Sequence, residues 1–293
     1  MTTFFNNNTF ESIKNNEGEP KLIKQFISED NVKELLDCRK SLSKKMVDRE
    51  ESTKVPFEFN ENELLRNLKA KIEEVVGEFE VKDFEPHFIT TRFPLRLHAD
   101  TGKDPNDIIF KNIVVPLEIN HKSESPDNKT SNTIIFKNKW YRPGALFTTK
   151  TSNDYDFIIK NKNEKFIDIY DIHDFKKSVD QNEDGSVLNY NNEDFYVDEI
   201  FKNYITMLSK TKRYNIRTDE HIENKTPFDK KIYENYMTHQ PYEDCTGLEF
   251  DAALPWEKGS LMLWDRVRIH SSDNFIKNNV LNKTCIALFT SRP

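Results

Sequence analysis

Short apolar runs separated by polar or proline-containing turns follow one another after Gly77. They are HFITTRF, RLHAD, IIFKNIVVPLEI, TIIFKNKWY and GALFTT, and the same texture returns after residue 245 with GLEFDAALPW, GSLMLWD, RIHSSD and KTCIALFTS. Runs of this length and composition are typical of β-strands. Because no helical pattern separates neighbouring runs within either group, the sequence predicts a mainly β fold, an antiparallel sandwich or barrel.

Two amphipathic helices are predicted before these strands. Ser28 follows the short apolar run KLIKQFI and suits an N-cap, with Glu29 and Asp30 in the first helical turn. The second helix covers about residues 61–76 and ends at Gly77. Apolar residues recur at near-helical spacing: Leu35, Leu36, Leu42 and Met46 in the first helix, and Leu64, Leu65, Leu68, Ile72 and Val75 or Val76 in the second. Both helices therefore have an apolar side to pack on the β core.

The domain prediction is a disordered or loosely ordered N-terminus over residues 1–20 and a single domain over 21–293. Residues of about 150–245 interrupt the β texture, are rich in Asn, Asp and Lys, and contain two helix candidates, 198–210 and a segment from Thr226 with Pro227 at its first helical position. We interpret them as a mixed helical insertion. Its aromatic residues suit either a lid over the core or an added helical layer.

Composition excludes several classes of protein. The 43 basic and 50 acidic residues give a net charge of −7, without a concentrated basic face, so a duplex nucleic-acid partner is not expected. The three cysteines form no CxxC pair, which argues against a disulfide framework or a structural zinc site and favours a reducing, cytoplasmic location. No apolar stretch approaches the roughly 20 residues that span a bilayer, and no signal peptide is evident.

A His-x-Asp pair, His98 and Asp100, provides candidate metal ligands. Side chains alternate along a strand, so both residues point to the same face and can reach one ion. With 7 histidines and 50 acidic residues in 293 positions, about one His-x-acid pair is expected by chance, and the chain has two. The other pair, His221 and Glu223, lies in polar, helix-prone sequence, so the strand context favours His98 and Asp100.

His270 is the candidate third ligand because it lies in another predicted strand, RIHSSD. Taken alone, it is better interpreted as a structural histidine in the core or on the surface, and only the combination with His98 and Asp100 favours a metal ligand. Two histidines and one carboxylate on one face of an octahedron leave three positions open, which suits Fe(II) that binds a chelating cosubstrate and O2. The remaining histidines, His87, His121, His173 and His239, lack such spacing and are interpreted as surface or structural residues.

The segments RLHADTGKDPNDIIFKNIVVPLEI, GSLMLWDRVRIHSSDNF and KTCIALFTS together resemble the Fe(II)- and 2-oxoglutarate-dependent oxygenases, in particular the prolyl-hydroxylase-like branch. The resemblance covers about residues 81–136 and 250–290. It implies a double-stranded β-helix, or jelly-roll, core with N-terminal packing helices. It also implies that His98, Asp100 and His270 bind Fe(II), with 2-oxoglutarate as cosubstrate.

In this family a cation on the final core strand holds the distal carboxylate of 2-oxoglutarate, usually Arg in an R-x-S motif. The sequence offers Lys283 instead, 13 positions after His270, which requires a longer turn that Asn278 and Asn279 suit. An ammonium binds a carboxylate as a point charge, without the bidentate fork of Arg. Arg268, and after it Arg96 and Arg92, are fallback candidates, and the alternative for Lys283 itself is an edge-strand or solvated charge.

The resemblance implies a dioxygenase that hydroxylates an unactivated C–H bond, with 2-oxoglutarate, O2 and a small-molecule or protein side-chain substrate as partners. Two alternatives stay open. One is a cupin-like Fe(II) dioxygenase that does not use 2-oxoglutarate, which would follow if Lys283 pointed away from the site. The other is a non-catalytic jelly-roll binding or structural protein in which the histidines and the aspartate are incidental.

Overall fold

The computed structural model describes residues 5, 7–82, 85–102, 104, 106–123, 130–141 and 226–293, together with the backbone of short strands between 158 and 196. Helices α1 to α4 span Asn7–Asn15, Glu29–Ser41, Glu63–Val76 and Lys230–Ile232. Strands β1 to β6 span Lys21–Ile23, Val47–Asp48, Ser52–Pro56, His87–Thr91, Ile109–His121 and Asn132–Lys139. Strands β7 to β11 span Ile158–Asn161, Phe166–Asp168, Asp180–Gln181, Val187–Tyr190 and Glu193–Tyr196. Strands β12 to β15 span Phe250–Pro255, Leu261–Asp265, Arg268–Ser272 and Val280–Ser291.

Two antiparallel sheets carry the core, and the chain alternates between them. The larger sheet has the order β1-β13-β5-β15-β4-β3-β2, and the smaller has β12-β6-β14. A bridge between His98 and His270 adds a further segment beside β14. From β4 onward the core therefore passes to the His98 segment, back to β5, across to β6 and β12, back to β13, across to β14, and ends in β15. This alternation is a jelly-roll, so the predicted fold class is confirmed.

The helices cover the outer face of the larger sheet, as their apolar sides predict. Ser28 caps α2 by accepting a hydrogen bond from the backbone N–H of Asn31 at 3.2 Å, and Asn62 caps α3 in the same way through Leu65 at 2.9 Å. Gly77 ends α3 with a φ of +79°. Buried apolar residues of both helices pack with those of the central strands: Val32, Leu35, Leu65, Leu68, Ile72, Ile113, Val115, Leu117, Ile286 and Leu288.

A second apolar cluster fills the interior between the two sheets. It includes Ile135, Leu254, Trp256, Met262, Trp264, Cys285 and Ala287. On β15, Ile286 and Leu288 face the helices whereas Cys285 and Ala287 face this interior, as the two-residue period of a strand requires. Lys283 has the same parity as Cys285, so its side chain is directed between the sheets.

The N-terminus differs from the prediction of a loose segment over residues 1–20. Residues 7–15 form α1, and Ile13 and Phe5 are 3% and 0% exposed. They pack in a small cluster with Tyr141, Val267 and Ile109. The sequence contained these apolar residues, but their partners are distant along the chain, so local periodicity does not report them.

Most of the predicted insertion lies outside the described residues, including the helix candidate 198–210 and the run GALFTT. The described strands β7 to β11 pair as an antiparallel sheet with the order β8-β7-β11-β10-β9, in a segment for which strands were not predicted. The helix expected from Thr226 begins instead at Lys230. Asp229 is its N-cap and accepts a hydrogen bond from the backbone N–H of Ile232 at 3.0 Å.

In the described part of the chain, no helix combines the length and the apolar character that a bilayer crossing demands.

Gly259 lies in the turn between β12 and β13, where its carbonyl oxygen accepts a hydrogen bond from the Ile27 backbone N–H at 3.0 Å. We predict that Gly259→Ala destabilises the protein. Its φ is +75°, and an added Cβ would lie 2.8 Å from the carbonyl oxygen of Ile27. Left-handed backbone and this collision should together lower the free energy of unfolding by about 2 kcal/mol or more. Gly18→Ala is the control, because its Cβ would meet only the Lys111 Nζ at 3.4 Å. Equal denaturant midpoints for Gly259→Ala and the parent would contradict the prediction.

Candidate metal centre

His98 and His270 are brought together by direct strand pairing. Each donates its backbone N–H to the carbonyl oxygen of the other, at 3.0 and 2.9 Å, and their rings lie 4.2 Å apart between centroids. Asp100 follows two positions after His98, on the same face. The Asp100 carboxylate lies 3.0 Å from Nε2 of His270 and 3.7 Å from Nε2 of His98. Among the described residues, these three form the group whose ligand atoms all lie within 4.8 Å of one another.

Both histidine rings are oriented by backbone carbonyls. Nδ1 of His98 lies 2.6 Å from the carbonyl oxygen of Arg96, and Nδ1 of His270 lies 3.0 Å from that of Arg268. A carbonyl oxygen only accepts, so each Nδ1 carries the proton and donates. In a metal-bound form the lone pair of each ring would be on Nε2, the atom directed to Asp100. This outer hydrogen bond is the one that metal-binding histidines ordinarily make.

Asp100 is held by two residues that the sequence did not reveal as site residues, Asn112 and Arg266. Asn112 on β5 donates from Nδ2 to the Asp100 carboxylate at 3.0 Å. Arg266, which is fully buried, donates from Nε to the Asp100 carbonyl oxygen at 2.6 Å. Asn112 carried one usable signal, an amide within the apolar run IIFKNIVVPLEI. Arg266 carried none, because its role depends on the turn between β13 and β14.

The charges around Asp100 favour its ionised form. Burial raises the pKa of this carboxyl group, but His98 and then His270 outweigh burial and hold the pKa well below its usual range, with a further contribution from Arg266. A divalent cation that binds this carboxylate and the two Nε2 atoms would take the place of any proton held between them, so metal binding would release protons.

Lys283 lies in the interior between the two sheets and is 2% exposed. Its Nζ donates to Ser131 Oγ at 2.9 Å, and Ser131 donates in turn to the Asp273 carboxylate at 2.8 Å. The ammonium also lies over the rings of Trp256 and Phe275, at 3.9 and 4.9 Å from their centroids. Burial lowers the pKa of Lys283 to about 8, although Asp273 acts in the opposite direction. The interpretation of Lys283 as a solvated surface charge is therefore wrong.

The unusual spacing of Lys283 is explained by the turn between β14 and β15, which includes Asn279 with a φ of +64°. The separation between Lys283 and the cluster of His98, Asp100 and His270 can be estimated along strand β6. Ile135 pairs opposite His270, and Ser131 precedes it by four positions, about 13 Å along a strand. Lys283 and the cluster thus lie at two ends of one interior space.

The fallback arginines have other partners. Arg268 forms a short ion pair with Asp251, lies 3.4 Å from both Asp265 and Glu19, and donates to the carbonyl oxygen of Gly18. Its charge is already compensated. Arg92 pairs with Asp48 at 3.0 Å near the surface, and Arg96 is exposed. Lys283 is therefore the interior cation best suited to an added anion among these candidates.

Of the other histidines, His87 is buried and its Nδ1 lies 2.8 Å from the Glu85 carbonyl oxygen. Burial lowers the pKa of His87 to about 4 and, separately, that of His239 to about 4. His239 lies 3.3 Å from Ser271 Oγ and outside the three-residue cluster. His173, His221 and Glu223 lie outside the described residues.

No family model and no curated protein matches the chain. Several solved structures resemble it weakly. A prolyl-4-hydroxylase of Pseudomonas putida is 10% identical, with 97% of this chain and 99% of that chain covered, at a TM-score of 0.40. HygX of Streptomyces hygroscopicus, with nickel and 2-oxoglutarate bound, is 10% identical over 96% and 85% of the two chains, at 0.42. EctD of S. alaskensis is 10% identical over 99% and 78%, at 0.40.

Because Lys283 is buried, we predict that the free energy of unfolding of the protein depends on pH. An unfolded lysine titrates near 10.5 and the folded one near 8, so the folded protein binds fewer protons between these values. Unfolding stability should therefore rise with pH across this window, by roughly 3 kcal/mol from this residue. The test is the difference in free energy of unfolding between the parent and Lys283→Met at pH 8 and pH 10.5. A difference that stays constant with pH would show that Lys283 is not buried as described.

Proposed function

We propose that the chain is a non-haem Fe(II) oxygenase that uses 2-oxoglutarate and O2 to hydroxylate a C–H bond of a small molecule or protein side chain. The observation that carries the proposal is the position of two imidazole Nε2 atoms and one carboxylate within 4.8 Å inside a jelly-roll. The sequence resemblance described above supports the same class of enzyme.

The donor set suits Fe(II). His98, Asp100 and His270 supply two nitrogen ligands and one oxygen ligand from adjacent strand segments, so they approach an ion from one side. Ligands confined to one face leave coordination positions open for a chelating cosubstrate and for O2. Asn112 and Arg266 fix the orientation of Asp100, and the carbonyls of Arg96 and Arg268 fix the two rings. The ligands are thus held in place by the protein without the metal.

Lys283 suits the distal carboxylate of 2-oxoglutarate. An ammonium has three N–H donors, and Ser131 Oγ is the hydrogen-bond acceptor that Lys283 uses among the described residues. The remaining N–H donors are therefore available to a carboxylate at this buried position. Burial strengthens such a pair because the local dielectric constant is low. A carboxylate would also offset the desolvation that lowers the pKa of Lys283 in the free protein.

When bound, the metal and cosubstrate supply the oxidation, with 2-oxoglutarate converted to succinate and CO2 as the substrate is hydroxylated. The residues of the chain bind the metal ion, orient the cosubstrate and shield the reacting groups from water. His98, Asp100 and His270 hold the ion, Lys283 orients the cosubstrate, and the apolar interior around Met262, Cys285 and Ala287 keeps water away from the reacting groups.

The first test concerns metal binding. We predict that His98→Ala, Asp100→Ala and His270→Ala each weaken Fe(II) binding by at least about 100-fold, because each removes one of three ligands. Binding is measured by anaerobic titration, and succinate release from 2-oxoglutarate should fall in parallel. His221→Ala is the matched control, since it removes the histidine of the other His-x-acid pair. If His221→Ala abolished binding and His98→Ala did not, the proposed site would be wrong.

The second test separates a 2-oxoglutarate enzyme from an Fe(II) dioxygenase that does not use it. Lys283→Met should weaken 2-oxoglutarate binding about 10-fold or more, because a charge-assisted hydrogen bond in a buried site is lost. Fe(II) affinity should stay unchanged. The visible charge-transfer band of anaerobic Fe(II) with 2-oxoglutarate reports the binding. A parent that binds Fe(II) but gives no band would support the cupin-like alternative, and a parent that binds neither would support a non-catalytic protein.

A further inference from the structure

Two buried polar atoms beside the metal centre have no hydrogen-bond partner among the described residues. They are Nε1 of Trp264 and Oδ1 of Asn112, whose residues are 4% and 1% exposed. The assignment of the Asn112 amide is set by its other end, because Nδ2 must be the atom that donates to the Asp100 carboxylate. One unused donor and one unused acceptor therefore remain.

Both atoms belong to the wall of the same interior space. Trp264 on β13 and Asn112 on β5 are directly paired in the larger sheet. The Trp264 ring lies 5.1 Å from the His270 ring between centroids, and the Asn112 amide contacts Asp100 at 3.0 Å. Trp264 also belongs to the interior apolar cluster that includes Trp256, over which the Lys283 ammonium lies. Apolar packing therefore runs continuously from Lys283 to the metal centre.

The buried Trp264 N–H, which has no acceptor among the described residues, destabilises the free protein, because such a donor loses its hydration without gaining a hydrogen bond. The same chain satisfies the comparable group elsewhere: Trp256 Nε1 donates to Thr133 Oγ1 at 3.0 Å. A ligand that brings an acceptor beside His270 would remove the cost at Trp264. An anionic acceptor would gain most, because hydrogen bonds to charged groups are the stronger ones.

We propose that Trp264 Nε1 donates a hydrogen bond to the 2-oxo acid end of 2-oxoglutarate, the end opposite Lys283. This inference rests on the proposed function. Asn112 determines on which side of the metal centre the cosubstrate carboxylate binds. Its free Oδ1 is an acceptor and repels a carboxylate, whereas the indole N–H attracts one. The metal-chelating end of the cosubstrate is therefore drawn to the Trp264 side of the centre, and Trp264 is a binding residue for it.

Trp264→Phe tests the proposal because it keeps an aromatic ring and removes the N–H. Binding of 2-oxoglutarate to the Fe(II) protein should weaken about 10-fold, with Fe(II) affinity unchanged. Trp256→Phe is the matched control for stability. Both variants lose the same ring volume, but only Trp256→Phe loses a hydrogen bond that the free protein already makes. Trp264→Phe should therefore be the less destabilised of the two in thermal unfolding without ligands.

A second measurement uses the parent protein. With Zn(II) in place of Fe(II), one of the three indole N–H resonances of the ¹⁵N-labelled chain should move downfield when 2-oxoglutarate is added, and Trp264→Phe should lack that resonance. If Trp264→Phe does not fold, Trp140→Phe and Trp256→Phe assign the resonance by elimination.

The outcomes separate this inference from the proposed function. If the parent binds 2-oxoglutarate, the inference is overturned when Trp264→Phe binds it equally well or when the Trp264 resonance does not move. The proposed function would then stand without it. If the parent itself does not bind 2-oxoglutarate, the proposed function fails first and this inference fails with it.

Discussion

The antiparallel pairing of His98 with His270 is the contact on which the candidate site depends. Two backbone hydrogen bonds place these residues opposite each other on the smaller sheet. Strand geometry then brings Asp100 to the same face, and the Asp100 N–H donates to the Arg266 carbonyl oxygen at 3.2 Å. A slip of one residue would turn the ligands to the opposite face. The core strands around this pair therefore fix the register that the proposed chemistry requires.

The features that could be predicted from the sequence are those whose signals lie within a few consecutive residues. The pair His98 and Asp100 was recognisable because a two-residue period is local, and the caps Ser28 and Gly77 marked helix boundaries for the same reason. Arg266 was not recognisable, because a buried arginine beside a turn has a role only once Asp100 is folded against it. Helix α1 was missed on similar grounds, since its apolar side is covered by Tyr141 and Val267 from distant loops.

The buried cations divide into two kinds by the partners they have. Arg266 bonds to backbone oxygens of Asp100 and Thr290, and Arg268 is surrounded by carboxylates, so both are committed to the fold. Lys283 instead contacts a hydroxyl and two aromatic rings, and reaches Asp273 only through Ser131. A buried ammonium so weakly compensated is costly to stability, and sites that bind ligands are where such a cost is commonly found.

The two interior tryptophans, Trp256 and Trp264, differ in the same way as the buried cations, because within the described part of the chain one has a hydrogen-bond partner and the other does not. Trp256 and Trp264 belong to one apolar cluster, so burial and residue type do not explain why only the first has an acceptor among the described residues. Their positions differ instead, because Trp264 packs on His270. Unused hydrogen-bonding capacity is thus found beside the proposed metal centre and, as spare N–H donors, at Lys283. A dicarboxylate with a chelating 2-oxo acid end has an acceptor for each of these donors, so one ligand of the proposed class would satisfy both Trp264 and Lys283.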